Sequence, residues 1–120
     1  MLFRSYGATF TLLRRLLTSL GVNVRMVDVN QVDEVEAALK ETRAAILIAE
    51  TISNPLLKIP DIPAITQWAH EHEALVIVDN TFATPYLYRP IAHGVDIVVH
   101  SATKYLGGHG DVLGGVVATT

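Results

Sequence analysis

The sequence predicts an α/β fold, a mostly parallel sheet with helices on both faces, and three observations predict it. The runs "AAILIAE" from Ala44, "ALVIVD" ending at Asp79 and "DIVVHS" ending at Ser101 are short, apolar and rich in β-branched residues, as strands covered on both faces are. Segments of about ten residues with helical apolar spacing lie between them. Such alternation yields parallel strands joined by crossover helices.

Each element has its own justification. In "MLFRSYGATFTLLRRLLTSLG", Leu12, Leu13, Leu16, Leu17 and Leu20 are placed on one helical face and Arg14, Arg15, Thr18 and Ser19 on the other. Arginines and hydroxyls with no acid before Asp28 also suit a mitochondrial transit peptide. The apolar stripe makes a folded amphipathic helix the better reading. Val22 to Val27 alternates weakly and suggests a partly exposed strand. Asn30 is a candidate cap for a helix whose Val32, Val35 and Leu39 share a face, and Asp61 for one with Pro63 in its first turn and Ile62, Ile65 and Ala69 inward. "LGGVVAT" supplies a fourth strand, and residues 80–93, with Pro85 and Pro90, form an irregular connection.

Composition narrows the partners. The chain has 120 residues, one domain's worth, of which 50% are hydrophobic and 18% charged, enough for a core. A net charge of −3 offers no basic field for a phosphate backbone, so nucleic acid is not an expected partner. No apolar run approaches the roughly 20 residues that cross a bilayer, so no membrane partner is expected. The absence of cysteine excludes disulfides and thiolate metal sites and permits a reducing compartment; a cytoplasmic location is expected.

In open parallel sheets ligands bind beyond the carboxyl ends of the strands. The three apolar runs end there in Glu50 with Asn54 following, in Asp79, and in His100 and Ser101 with Thr103 and Lys104 following. Alone, an aspartate after a strand is more often a cap, and a lysine more often solvated surface. As a set they place acids, an amide, hydroxyls and an amine on one rim. Ser101 and Thr103 share a side if the segment is extended, and Gly107, Gly108 and Gly110 permit the turns of a phosphate cradle. Neither G-x-G-x-x-G nor G-x-x-x-x-G-K-[ST] occurs, so Rossmann and P-loop readings fail. A lysine beside a phosphate site with an acid one strand away suits pyridoxal phosphate (PLP): the amine bonds to the aldehyde and an ionised Asp79 pairs with the ring nitrogen.

"AETISNP", "VDNTFATPYLYRP" and "HSATKYLGGHGDVLGG" resemble the Cys/Met-metabolism, or trans-sulfuration, group of PLP enzymes, which includes cystathionine γ-synthase, cystathionine γ-lyase and methionine γ-lyase. The resemblance runs from about Tyr6 to the end. It implies that Lys104 is the lysine bonded to the cofactor, Asp79 the partner of the pyridine nitrogen, Ser101 and Thr103 phosphate ligands and Asn54 a contact to the ring oxygen. Through "SYGATF" it implies that Tyr6 stacks on the ring and serves as an acid or base. Freed Lys104, a crowded and buried amine, is expected to take the Cα proton of an amino-acid substrate before a β or γ substituent leaves. Ile52 stands where proline is usual in the family, and Tyr88 where glutamine is common. The fold implied is part of the large PLP-binding domain of a fold-type I (aspartate aminotransferase-like) enzyme. Residues 1–120 are expected to lack a preceding segment with a glycine-rich phosphate loop and a Tyr and Arg lent to the neighbouring subunit, and a small carboxyl-terminal domain with a substrate-binding arginine. A homotetramer is implied for the full-length family member.

Three readings stand. One is an enzyme acting on sulfur amino acids or O-activated homoserine by γ-elimination or γ-replacement. The second is a non-catalytic fragment retaining part of the cofactor site. The third is an α/β domain that binds a nucleotide at the same rim. His70 and His72, two apart on a helix, do not face each other and read as a solvated helix end, so no metal is expected. His109 and Asp111 read as turn residues and Trp68 as core.

Overall fold

A computed structural model describes residues 7–120, and Tyr6 lies outside the described residues. Strands β1 (Ile46–Glu50), β2 (Leu75–Asp79), β3 (Ile97–Ser101) and β4 (Gly115–Thr119) form one sheet in that order. The first three are parallel, with Glu50 beside Asp79 and Asp79 beside Val99, and β4 runs antiparallel to β3. The predicted apolar runs are therefore the strands, and the predicted fourth strand closes the series, exposed at all five residues.

Helices α1 (Gly7–Thr11), with a π-helical extension over Leu12–Leu17, and α2 (Val32–Thr42) precede β1, while α3 (Ile62–Glu71) lies between β1 and β2 and α4 (Thr84–Leu87) between β2 and β3. Bonding from i to i+5 changes the angular phase of that extension. Of the five leucines expected on one face, Leu13 is buried while Leu12, Leu16 and Leu20 are exposed. The start of α3 is as predicted: the Ala64 N–H donates to Asp61 Oδ1 at 3.0 Å and Pro63 occupies the first turn. Its end is a Schellman turn, with Glu73 left-handed (φ 58°), Glu73 N–H on the His70 carbonyl and Ala74 N–H on the Ala69 carbonyl.

Two expectations are corrected. Asn30 does not cap α2; Gln31 sits at that position without a side-chain cap bond, and the Asn30 N–H and Nδ2 both donate to Asp28 Oδ1 in a local turn one residue before the helix boundary. Residues 22–27 form no strand, only a single bridge at Met26, because a strand persists only where successive residues find ladder partners. Arg25 from that stretch instead pairs with Glu41 on α2.

Alternation along the strands sorts the sheet into two faces. Leu47, Ala49, Val76, Val78 and Val98 pack with Val35, Ala38 and Leu39 of α2 and Ile62, Ile65 and Ala69 of α3 into one core. Each large side chain buried there contributes about 1.5–3 kcal/mol. Trp68 packs against this core from α3, as predicted. The other set, Glu50, Asp79 and Ser101, points to the opposite side at the carboxyl edge. There the backbone leaves the sheet and a cleft opens.

Candidate active site

The cleft holds about 550 Å3, within the range of roughly 300–1,000 Å3 usual for small-molecule sites. Glu50, Asn54, Asp79, Ser101 and Lys104 all line it, so the residues expected to meet across the strand ends do meet. Register brings this about: Glu50 and Asp79 are paired at the ends of β1 and β2, and Ser101 lies two residues beyond Val99, the partner of Asp79.

Each side chain is placed by a specific local device. After β1 the chain folds back on itself through bonds from Ser53 N–H to the Lys58 carbonyl (2.9 Å) and from Lys58 N–H to Ser53 Oγ (3.0 Å). The Asn54 N–H donates to Glu50 Oε2 at 3.2 Å, tying the amide-bearing residue to the buried acid at the strand end. After β2, Asn80 is fully buried. It accepts from Thr51 Oγ1 at 2.6 Å and donates through Nδ2 to the carbonyls of Thr84 (3.1 Å) and Tyr88 (2.8 Å), fastening the irregular connection to β1. Thr81 donates its N–H (3.0 Å) and its hydroxyl (2.5 Å) to Asp79 Oδ1 and accepts the Ser101 N–H at 2.8 Å.

The lysine is carried differently from the extended segment expected. The chain leaves β3 at Ser101 and coils through Ala102–Leu106, where Lys104 departs from helical backbone values (φ −92°, ψ −120°). Ser101 and Thr103 consequently do not share a strand face. Ser101 lines the cleft, whereas Thr103 Oγ1 faces Gly114, accepting its N–H at 3.1 Å and donating to its carbonyl at 3.3 Å. The coil closes on Gly107, whose N–H bonds to the Ala102 carbonyl at 2.7 Å; a Cβ there would lie 2.6 Å from the same oxygen. Lys104, carried on the coil beyond the carboxyl end of β3, is exposed in this chain, against the expectation of a buried amine.

Sequence reasoning passed over Thr81, Phe82 and Tyr105 and read His109 as a turn residue, yet all four line the cleft. Phe82 and Tyr105 form an apolar wall, their rings 6.0 Å apart and tilted by 53°. A hydroxyl two residues after the strand-end aspartate was the available signal for Thr81. Tyr88, a departure from the family pattern, stacks on His93 at 4.9 Å; burial pushes its hydroxyl above its ordinary range.

Outside the cleft, His70 Nε2 bonds to Asp96 Oδ2 at 2.9 Å and His72 Nδ1 to the Trp68 carbonyl at 2.9 Å, so the two histidines do turn to different partners. Among the described residues no cluster of three His, Cys, Asp or Glu side chains is arranged to hold a metal, and no helix is long and apolar enough to cross a membrane.

Residues 2–120 match the family model described as Cys/Met metabolism PLP-dependent enzyme. A cystathionine β-lyase of Lactococcus lactis subsp. cremoris is 56% identical over 114 residues, 95% of this chain and 30% of that protein. Among solved structures, cystathionine γ-lyase from Lactobacillus plantarum, complexed with L-serine, superposes with a TM-score of 0.93 at 46% identity over 99% of this chain and 32% of that one. A Campylobacter jejuni subsp. jejuni structure described as an O-acetylhomoserine (thiol)-lyase, holding a pyridoxyl-lysine monophosphate, gives 0.91 at 37% identity, covering 98% of this chain and 30% of the other. The chain thus spans about 30% of the length of the curated relatives it matches. With three separated motifs, the strand-end cleft and these similarities in agreement, the chain belongs to the Cys/Met metabolism family of PLP-dependent enzymes.

Proposed function

We propose that residues 1–120 form the lysine-bearing part of the large PLP-binding domain of a carbon–sulfur lyase or γ-replacement transferase acting on sulfur amino acids or O-activated homoserine. The complete protein would work in the cytoplasm as a homotetramer. One observation carries this reading: Lys104, Asp79, Asn54 and Ser101 line a single cleft although they come from three strand ends. The donor set fits the cofactor. Asp79 Oδ1 is occupied by Thr81, which leaves Oδ2 to accept from a ring N–H; an amine and a hydroxyl share the same cleft; and Phe82 with Tyr105 gives an apolar surface for a flat ring.

PLP, when bound, supplies an aldehyde that bonds to amines and a protonated ring that withdraws electrons from the substrate Cα. Lys104 Nζ would hold the cofactor and, once displaced by a substrate amine, take the Cα proton. Asp79 fixes the ring end by its charge. Ser101 supplies a hydroxyl to the phosphate, and Thr103 a second by exchanging its 3.3 Å bond to the Gly114 carbonyl for a phosphate oxygen. Asn54 donates to the ring oxygen. Tyr6, outside the described residues, is assigned the stacking and acid–base role by resemblance. The named relatives include a β-lyase and a γ-lyase, so the position of the bond broken is left to groups elsewhere in the complete protein.

The test adds PLP to the complete protein and follows visible absorbance. A band is expected that survives dialysis, and Lys104→Ala abolishes it; covalent retention of the cofactor by the variant would overturn the assignment. A second reading, favoured by the partial span and the exposure of Lys104, is that residues 1–120 alone bind cofactor without turnover. Clear elimination from cystathionine by the isolated segment would rule it out.

A further inference from the structure

We propose that Thr81 is the positioning residue of the cofactor site, orienting Asp79 and linking it to the strand end that carries Ser101; this rests on the PLP reading above. Hydrogen-bond polarity fixes the arrangement. The Ser101 N–H can only donate, so at 2.8 Å it takes a lone pair of Thr81 Oγ1. The single hydroxyl proton is therefore directed to Asp79 Oδ1 at 2.5 Å, where the Thr81 N–H also arrives at 3.0 Å. Two donors from one residue converge on one carboxylate oxygen, which sets the rotation of the carboxyl group about its bond to Cβ. Oδ2 is thereby aimed away from Thr81, and the charge of Asp79 is presented in one orientation.

The same hydroxyl crosses between strands. Asp79 ends β2 and Ser101 ends β3, and residues 79 and 99 are the last pair in register between them. Beyond that pair, the Thr81 side chain continues the ladder as a bridge from the Ser101 backbone. The group that meets the ring nitrogen and the group that meets the phosphate are thus held at a fixed separation by one side chain, as a networked hydroxyl can do. Thr81 also lines the cleft itself.

Two substitutions in the complete protein separate this role from ordinary packing. Thr81→Val keeps the shape and removes the hydroxyl; Thr81→Ser keeps the hydroxyl and removes a methyl. Losing a hydrogen bond to a charged group weakens binding by about 10- to 100-fold. That loss is expected in PLP affinity, followed by fluorescence quenching of the apoprotein, for Thr81→Val, with Thr81→Ser within about threefold of wild type. The absorbance maximum of bound PLP should shift in Thr81→Val and return in Thr81→Ser. In an Asp79→Asn background, Thr81→Val should weaken PLP binding by less than about threefold, since the residue acts through Asp79. Wild-type affinity and an unshifted band in a Thr81→Val protein would overturn the proposal while leaving the PLP reading intact. A lowered apoprotein melting temperature with unchanged affinity would overturn it equally, by reducing Thr81 to a packing residue. A wild-type protein that does not bind PLP would overturn both.

Discussion

Replacing Asn80 by alanine tests how the irregular connection between β2 and β3 is fastened. The carboxamide makes three side-chain bonds, from Thr51 Oγ1 at 2.6 Å and to the carbonyls of Thr84 and Tyr88 at 3.1 and 2.8 Å. Its own N–H bond to the Val99 carbonyl at 2.9 Å belongs to the backbone and survives the change. Each buried polar group left short costs about 1–3 kcal/mol. Two of the three partners keep something: the Thr51 hydroxyl retains a long contact to the Asp79 carbonyl at 3.4 Å, and the Thr84 carbonyl retains the Tyr88 N–H at 3.2 Å. The Tyr88 carbonyl loses its bond to Nδ2. Partial compensation at two sites and loss at the third put the cost of Asn80→Ala at about 3–4 kcal/mol. Equilibrium urea unfolding of the complete apoprotein measures it, with proteolysis across residues 81–88 as a local readout. Asn80→Asp should be at least as damaging, because it sets a second carboxylate oxygen against two carbonyls. A loss below about 1 kcal/mol for Asn80→Ala, on the same scale of unsatisfied groups, would refute the view that Asn80 fastens this connection.

The end of α3 offers a gain: Glu73 is exposed and left-handed at φ 58°, so Glu73→Gly should stabilise the protein by about 0.5–1 kcal/mol, seen as a raised melting temperature; a fall would contradict the turn described. Asp61→Ala removes the acceptor for the Ala64 N–H and should cost about 1 kcal/mol in urea unfolding, with Asp61→Ser recovering most of it. For Asp96, burial raises the carboxyl, but hydrogen bonds from His70 and the Val76 N–H, with the charge of His70, outweigh it and hold the group below its ordinary 3.8. A carboxyl depressed in the folded state binds protons more readily when unfolded. Its stabilisation is therefore full above the ordinary value and lost as pH falls through the lower folded one. Asp96→Asn should accordingly flatten the acid limb of stability against pH, measured roughly between pH 5 and 2, and an unchanged limb would contradict the pairing.

The parts legible in the sequence are those set by local composition. Apolar runs of strand length located β1, β2 and β3, and their polar last residues located the rim, since burial demands continuous apolarity while the carboxyl edge releases it. Asp61 was legible as a cap because capping is decided within four residues. Asn30 was misread because its backbone N–H and side-chain amide both donate to Asp28, a local turn that the cap pattern does not reveal. The stretch 22–27 carries strand composition, but pairing is decided by which backbone lies alongside. The shared face assumed for Ser101 and Thr103 held only while the chain was extended, and it coils at Ala102. The links that Asn80 and Thr81 make between strand ends were invisible because the partners in question, Thr51 and Ser101, lie 29 and 20 residues away, where composition carries no information.

The strand order has a consequence for how the rim comes together. Every strand lies beside the one synthesised before it, and the bonds that knit the rim, Thr51 to Asn80 and Thr81 to Ser101, close loops of 29 and 20 residues. The chain entropy lost in such closures grows only with the logarithm of length, and these two differ by about 0.3 kcal/mol. Both closures are local in sequence. They lie within residues 51–101, directly before the coil that carries Lys104.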